Sequence, residues 1–263
     1  MSTIEIVVRQ GRGSGPSLLV LTAVHGNEPC GPQALQALQK LQVLRGRVTF
    51  VIANPAALAR GVRYIDKDLN RAFQSDDDTH EGKLVRQLRP LLTAADALLD
   101  IHSSPTGTEP YAICEPHSLR VAAALPVQTV LTNIDSFHAG STDGFMNSIG
   151  KLAICVECGS HTDPQSAVIA ENAVRAFLVH YGLLRGTITY HQQKVWKAIS
   201  LYRNQKVFRP ASMRNDFSPL KPGDLVGWDG EKEVRSRGAG SIVFLRERTA
   251  AGEECFLECE ETQ

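Results

Sequence analysis

Leu18-Leu19-Val20-Leu21-Thr22-Ala23-Val24-His25-Gly26-Asn27-Glu28-Pro29 is the stretch from which the fold can be read. Its first half is a short, continuous apolar run, the pattern of a strand buried on both faces in the middle of a parallel sheet. Pro29 then stands where a first-turn proline belongs, and Leu35, Leu38 and Leu41 repeat at helical spacing behind it. Between strand and helix lie His25 and Glu28, two side chains able to ligate a metal. In an open α/β sheet, ligands bind at the carboxyl ends of the strands, so this junction is where a site is expected.

The same grammar recurs outward from it. Residues 48–53 read as a second buried strand ended by Asn54-Pro55, residues 97–102 as a third ended by Ser103-Ser104-Pro105, and residues 152–157 as a fourth. Each finishes on groups able to do chemistry. Glu5-Ile6-Val7-Val8 reads as an edge strand and Gly11 to Pro16 as a turn; the glycine run lacks the Gly-Lys-Ser/Thr ending and the following helix of a phosphate loop. Residues 81–92 and 164–181 read as helices, the first disturbed in its last turn by Pro90, and residues 60–73 as a polar loop. Strands separated by helices imply a mainly parallel α/β layer with its site along one edge.

Around residues 183–186 the character changes. Short strand-like pieces at 187–190, 206–208, 224–228 and 241–245 alternate with Pro222-Gly223, Asp229-Gly230 and Gly238-Ala239-Gly240. The expected division is an α/β domain over residues 1–186 and a smaller all-β domain over 187–263.

A chain of 263 residues has room for both cores. Lys plus Arg and Asp plus Glu number 28 each, so no basic excess draws it to nucleic acid or to an anionic membrane surface. No apolar run approaches the roughly 20 residues of a membrane span. The start, Met1-Ser2-Thr3-Ile4-Glu5, lacks the basic and apolar pattern of a secretion signal, and the six cysteines then read as reduced thiols. These features predict a cytoplasmic protein.

A catalytic zinc takes three protein ligands, usually His and carboxylate, and keeps one position open. His25 and Glu28 supply two from one turn, and His102, ending another buried strand, is the natural third. Glu157 closes an otherwise apolar strand, where a carboxylate is costly without a task or a partner; beside an activated water it would act as general base. Arg63 precedes Tyr64-Ile65-Asp66-Lys67-Asp68-Leu69-Asn70-Arg71. A loop with two guanidinium forks and an asparagine suits a carboxylate clamp, and Arg63 could instead face a developing oxyanion. Each element also has a plainer reading: a structural ion pair for Glu157, a satisfied core histidine for His102, a solvated surface for the loop. Cys155, Cys158, Cys255 and Cys259 could form a structural zinc site, but the first pair brackets Glu157 on a strand.

Taken in order, His25-Gly26-Asn27-Glu28, Asn54-Pro55, Arg63 to Asp66, Asp68-Leu69-Asn70-Arg71 with Phe73, Asp100-Ile101-His102 and Val156-Glu157 resemble the aspartoacylase and succinylglutamate desuccinylase family, relatives of the zinc carboxypeptidases. Residues 219–230 are similar to that family's C-terminal β-domain. The resemblance implies a central mixed sheet with helices on both faces and a β-domain that narrows the site entrance. It implies one Zn2+ per chain on His25, Glu28 and His102, with Glu157 as base and proton shuttle. Arg63 would polarise the acyl carbonyl, and Asn70 with Arg71 would hold the α-carboxylate of a small N-acyl amino acid. A homodimer is compatible with the family. The implied activity is an aspartoacylase-like deacylase; a desuccinylase-type activity, a carboxypeptidase acting on short peptides and a non-catalytic zinc-binding protein are the rivals.

Two positions depart from the pattern. Where aspartoacylase has a substrate-binding arginine ten residues before the catalytic glutamate, this chain has Asn147, and no tyrosine occurs in residues 250–254. Losing a charge-assisted fork to a buried carboxylate costs on the order of 2–5 kcal/mol. Both departures bear on which substrate is accepted and leave the hydrolytic residues intact.

Overall fold

The computed structural model describes residues 3–105, 109–138 and 140–262; Met1 and Ser2, on which part of the amino-terminal reading rests, lie outside them. The chain divides into two compact units, Met1–Val130 with His138–Gln193, and Leu131–Phe137 with Lys194–Gln263.

The first unit runs β1 (Glu5–Gln10), β2 (Gly13–Thr22), α1 (Cys30–Ala37), β3 (Arg45–Ile52), α2 (Pro55–Arg60), α3 (His80–Ala94), β4 (Ala97–Ser104), β5 (Tyr111–Ile113) and α4 (Leu119–Ala122). It continues through β6 (Thr129–Thr132), whose last two residues count with the second unit, then α5 (Thr142–Ser148), β7 (Leu152–Ser160) and α6 (Gln165–His180). Its strands lie in the order β1-β3-β2-β4-β7-β5. The β3/β2, β2/β4 and β4/β7 pairs are parallel, while β1 and β5 join antiparallel, so the sheet is mixed.

Alternation along the strands sorts the core into two layers. Leu18 and Val20 of β2 pack with α1 and α6 through Ala34, Leu38, Val174 and Phe177. Leu19 and Leu21 point the other way, toward Leu84, Leu88 and Leu92 of α3 and Met146 of α5. Successive side chains on a strand face opposite sides of the sheet. Asp100 and His102 therefore share the face of Leu98, and Glu157 that of Ala153, beside α3 and α5. The expected class, helices flanking a mixed sheet plus a small all-β unit, is the observed one.

Three local expectations give way. Residues 13–16 are not a turn: β2 already pairs at Gly13 with Arg45, and an irregularity before Ser17 absorbs the extra residues. Gly15 serves close approach there, since a Cβ would come 2.9 Å from the Gly46 nitrogen. Helix α3 runs through Pro90 to Ala94, because Leu88 and Leu92 are fully buried and Lys151 Nζ caps the carbonyls of Thr93 and Ala95. Residues 187–190 form no strand; all are exposed, and the next strand starts at Lys194.

The second unit contains β8 (Lys194–Arg203), β9 (Phe208–Pro210), β10 (Ser218–Leu220), β11 (Leu225–Asp229), β12 (Lys232–Arg235), β13 (Gly240–Val243) and β14 (Glu254–Thr262). Strands β8-β14-β13-β10 form one antiparallel ribbon and β12-β11-β9 a separate three-stranded sheet. Phe208, Val226, Val234, Ile242 and Phe256 fill this unit's core, with the Tyr202 ring stacked on Phe256.

Candidate metal centre

The candidate metal corner begins with a strained residue. Ala23, just past β2, has φ 49°, the left-handed region that side chains other than glycine rarely adopt. Hydrogen bonds hold it there: Thr22 O accepts from Ala53 N–H at 2.8 Å and Ala23 O from Asn54 N–H at 3.0 Å. The chain thereby leaves the sheet and folds tightly against α2, where a Cβ on Gly26 would come 2.1 Å from the carbonyl carbon of Ala57. Glu28 N–H closes the turn on His25 O at 3.2 Å.

This turn places His25 Nδ1 2.8 Å from Glu28 Oε1. Strand β4 delivers His102 to the other oxygen, with Nδ1 2.9 Å from Glu28 Oε2, and the N–H of Ser103 donates to that same oxygen at 3.2 Å. One ligand atom from each of His25, Glu28 and His102 lies within 4.8 Å of the others. All three side chains are buried, at 4, 3 and 2 % exposure.

Burial alone would push the Glu28 carboxyl up; the charges of His25 and His102 overcome it and hold Glu28 well below the usual range. For His102 burial works against protonation, while Asp100 and Glu28 together raise it well above an ordinary imidazole. A carboxylate this deeply buried needs positive charge at contact distance. Protonated imidazoles supply it from the protein alone; a divalent cation supplies it too, and leaves both imidazoles as neutral ligands. Two imidazoles and a carboxylate are also a donor set typical of catalytic zinc, so the residues present fit that ion.

Other predicted residues converge on the corner to differing degrees. The Arg63 carbonyl accepts the Gly26 N–H at 3.1 Å, and its guanidinium reaches Glu28 Oε1 at 3.6 Å. Glu157 is the register partner of His102 in the parallel β4/β7 pair, one strand spacing of about 4.8 Å away. Asn70 Oδ1 accepts the Thr142 N–H at 3.3 Å, at the amino end of α5. Arg71 Nη1 donates to Asn70 O at 2.9 Å, and Nη2 lies 3.0 Å from His138 Nδ1. Asn147 is half-buried in the last turn of α5, five residues past Thr142, or about 7 Å along the helix axis.

Asp68 and Asp100, absent from the predicted set, are the strongest additions. Asp68 Oδ1 sits 3.1 Å from His25 Nε2, and Oδ2 accepts from Arg63 Nε at 2.9 Å. Burial opposes its charge, but His25, Arg63 and Arg71 together hold Asp68 far below the usual carboxylate range. Asp100 Oδ2 lies 3.2 Å from His102 Nε2 and accepts the Thr142 hydroxyl. Each imidazole thus has a carboxylate behind it, an arrangement that orients metal-ligating histidines. For Asp100 the signal was its position two residues before His102 on one strand, hence on one face. For Asp68 no local signal distinguished it from Asp66, its neighbour by two.

A comparison with protein-family models matches residues 14–181 to the succinylglutamate desuccinylase/aspartoacylase catalytic domain. The N-acyl-aromatic-L-amino acid amidohydrolase (carboxylate-forming) of Rattus norvegicus is 33% identical over 250 residues, covering 79% of this chain and 77% of that protein. The N-alpha-acetyl-L-2,4-diaminobutyric acid deacetylase of Halomonas elongata is 28% identical over 200 residues, covering 67% of this chain and 58% of that one. Among solved structures, a succinylglutamate desuccinylase from Vibrio cholerae is alike in fold, with a TM-score of 0.80 at 18% identity, covering 97% of this chain and 85% of that one.

Proposed function

Because the chain belongs to the succinylglutamate desuccinylase/aspartoacylase family, we propose that it is a zinc-dependent hydrolase that removes the acyl group from the α-nitrogen of a small amino acid. The observation that carries this reading is the buried His25–Glu28–His102 cluster with Glu157 in register beside His102. These three residues would hold the ion, one per chain, and zinc bound there supplies Lewis acidity.

The remaining roles fall to the chain's own groups. Glu157 takes a proton from the attacking water and returns it to the departing amine nitrogen. Arg63 holds a fixed positive charge at the corner, where it stabilises the tetrahedral oxyanion; Asp68 fixes the guanidinium by its bond to Nε. Asn70 and Arg71 bind the α-carboxylate and set the acyl carbon within reach of attack. With its Oδ1 committed to Thr142, Asn70 presents its amide N–H groups as donors.

On substrate, neutral side chains are favoured over aspartate. Asn147 offers no charge where the aspartoacylase pattern has arginine, and the Rattus norvegicus relative is named for aromatic amino acids. All six cysteines are free and buried, which supports a reducing, cytoplasmic setting. No helix among the described residues is long and apolar enough to cross a membrane. A homodimer belongs to the same proposal.

The test is a panel of N-acetyl and N-succinyl amino acids with aromatic, aliphatic and acidic side chains, together with dipeptides, assayed on zinc-loaded protein. Turnover of N-acyl amino acids with neutral side chains, and none of dipeptides, is expected. Hydrolysis of dipeptides alone would make the protein a carboxypeptidase.

A further inference from the structure

Glu81, the second residue of α3, has no part in the chemistry above, yet its side chain is completely buried and both oxygens are engaged away from its own helix. Oε1 accepts from Asn54 Nδ2 at 3.0 Å and from Ile65 N–H at 2.8 Å. Oε2 accepts from Asp66 N–H at 3.1 Å and Lys67 N–H at 3.2 Å. Asp66 answers from the other side, its Oδ2 accepting the His80 N–H at 2.6 Å. Residues 62–68 contain neither strand nor helix, so one carboxylate meets three consecutive N–H groups that no ladder serves. Successive N–H groups aimed at one anion form a rigid concavity.

The clamped residues lie between the two that reach the metal corner. Arg63, two positions before Ile65, accepts Gly26 N–H on its carbonyl and approaches Glu28. Asp68, directly after Lys67, contacts both His25 and Arg63. Asn54 ties the same carboxylate to the amino end of α2, whose Ala57 lies against Gly26. A helix-start glutamate would ordinarily serve its own helix amides; this one is spent on the loop.

We propose that Glu81 is a positioning residue whose carboxylate clamps residues 65–67, so that Arg63 and Asp68 meet the His25–Glu28 corner already oriented. The kinetic consequence rests on the deacylase reading; the clamp itself does not.

Hydrogen–deuterium exchange of the full-length wild-type chain, followed at the amides of Ile65, Asp66 and Lys67, tests the clamp without any substitution. Protection of at least about tenfold over free peptide is expected, despite the absence of regular structure. Glu81→Gln keeps the shape, but whichever way its amide turns, the NH2 faces two of the four donors. In that variant exchange should accelerate at 65–67 while α3 stays protected and zinc content is unchanged. Turnover should fall by at least about tenfold, as two charge-assisted hydrogen bonds are lost, with KM raised as well. Glu81→Asp, which keeps the charge, should recover part of both.

Unprotected amides at 65–67 in the wild type would overturn the clamp, as would wild-type kinetics in Glu81→Gln. So would a loss fully accounted for by a smaller folded, zinc-loaded fraction with KM unchanged, the mark of a merely structural residue. If the wild type hydrolyses no N-acyl amino acid while 65–67 is protected and Glu81→Gln releases it, the deacylase reading falls and the clamp stands.

Discussion

Glu28 in the first unit and Asp229 in the second are both buried carboxylates, and their partners differ in kind. Asp229 Oδ2 accepts the Tyr202 hydroxyl at 2.9 Å and Gln205 N–H at 2.8 Å, while Oδ1 accepts Lys206 N–H at 2.7 Å. Those donors hold one turn closed between β8 and β9. Glu28 faces two imidazoles, each of which can give up its proton and turn a lone pair toward a cation. Fixed neutral donors suit a carboxylate to a structural task; exchangeable basic partners suit it to the ligand role proposed for Glu28. Glu81 shows a third use, a carboxylate satisfied like Asp229 but placed to hold a functional loop.

The contrast breaks most sharply on removing an imidazole. His102→Ala should lower the zinc content from about one ion per chain to none and abolish turnover, by elemental analysis and assay. Full zinc occupancy in that variant would mean that His102 is no ligand and that its contact with Glu28 is as structural as the contacts of Asp229. Glu157→Gln should keep the zinc yet lose roughly 10²–10⁴-fold in turnover, separating the base from the ligands that flank it. A fully active variant would remove Glu157 from the mechanism.

Asp229→Asn should spare zinc and cost about 1–3 kcal/mol of stability, because an amide NH2 then faces N–H donors. The pH dependence has a definite sign. Burial would raise the Asp229 carboxyl, but Gln205, Lys206 and Tyr202 hold it below its ordinary 3.8. Its contribution is therefore fully present above pH 3.8 and is lost as pH falls from there through the lowered folded value. Denaturation curves of wild type and variant should converge in acid; a constant gap would show that the charge is not what matters. The smallest effect is expected at Ala23→Gly, which relieves the left-handed strain at φ 49° and should stabilise by about 0.5 kcal/mol after glycine's entropy is charged against it. Destabilisation there would show that the methyl group's packing outweighs the backbone strain.

Much of the first unit is legible before folding because its signals are local. The run Leu18 to Leu21, the placement of Pro29 and the apolar strand before His102 each report their own burial. The second unit is less legible. β14, Glu254 to Thr262, mixes Cys255, Leu257 and Cys259 with Glu258 and Glu260, and β8, the partner it pairs with along most of its length, lies far off in sequence. Only pairing identifies it, since strand propensity depends on cross-strand neighbours. Residues 187–190 make the converse point: Thr187-Ile188-Thr189-Tyr190 has strand composition but no strand beside it.

For the site, the sequence alone put His25, Glu28, His102, Glu157, Arg63, Asn70 and Arg71 forward as candidates, because ligand and base chemistry belongs to residue type and each stands at a strand end or in a polar loop; the family resemblance is what implied the role of each. Tertiary structure alone decided that Glu157 stands beside His102, that Asp68 rather than Asp66 backs His25, and that Glu81 grips the loop carrying Arg63. Those outcomes depend on strand register and on hydrogen bonds between residues distant in sequence, whose energies exist only once the sheet has closed and water has left.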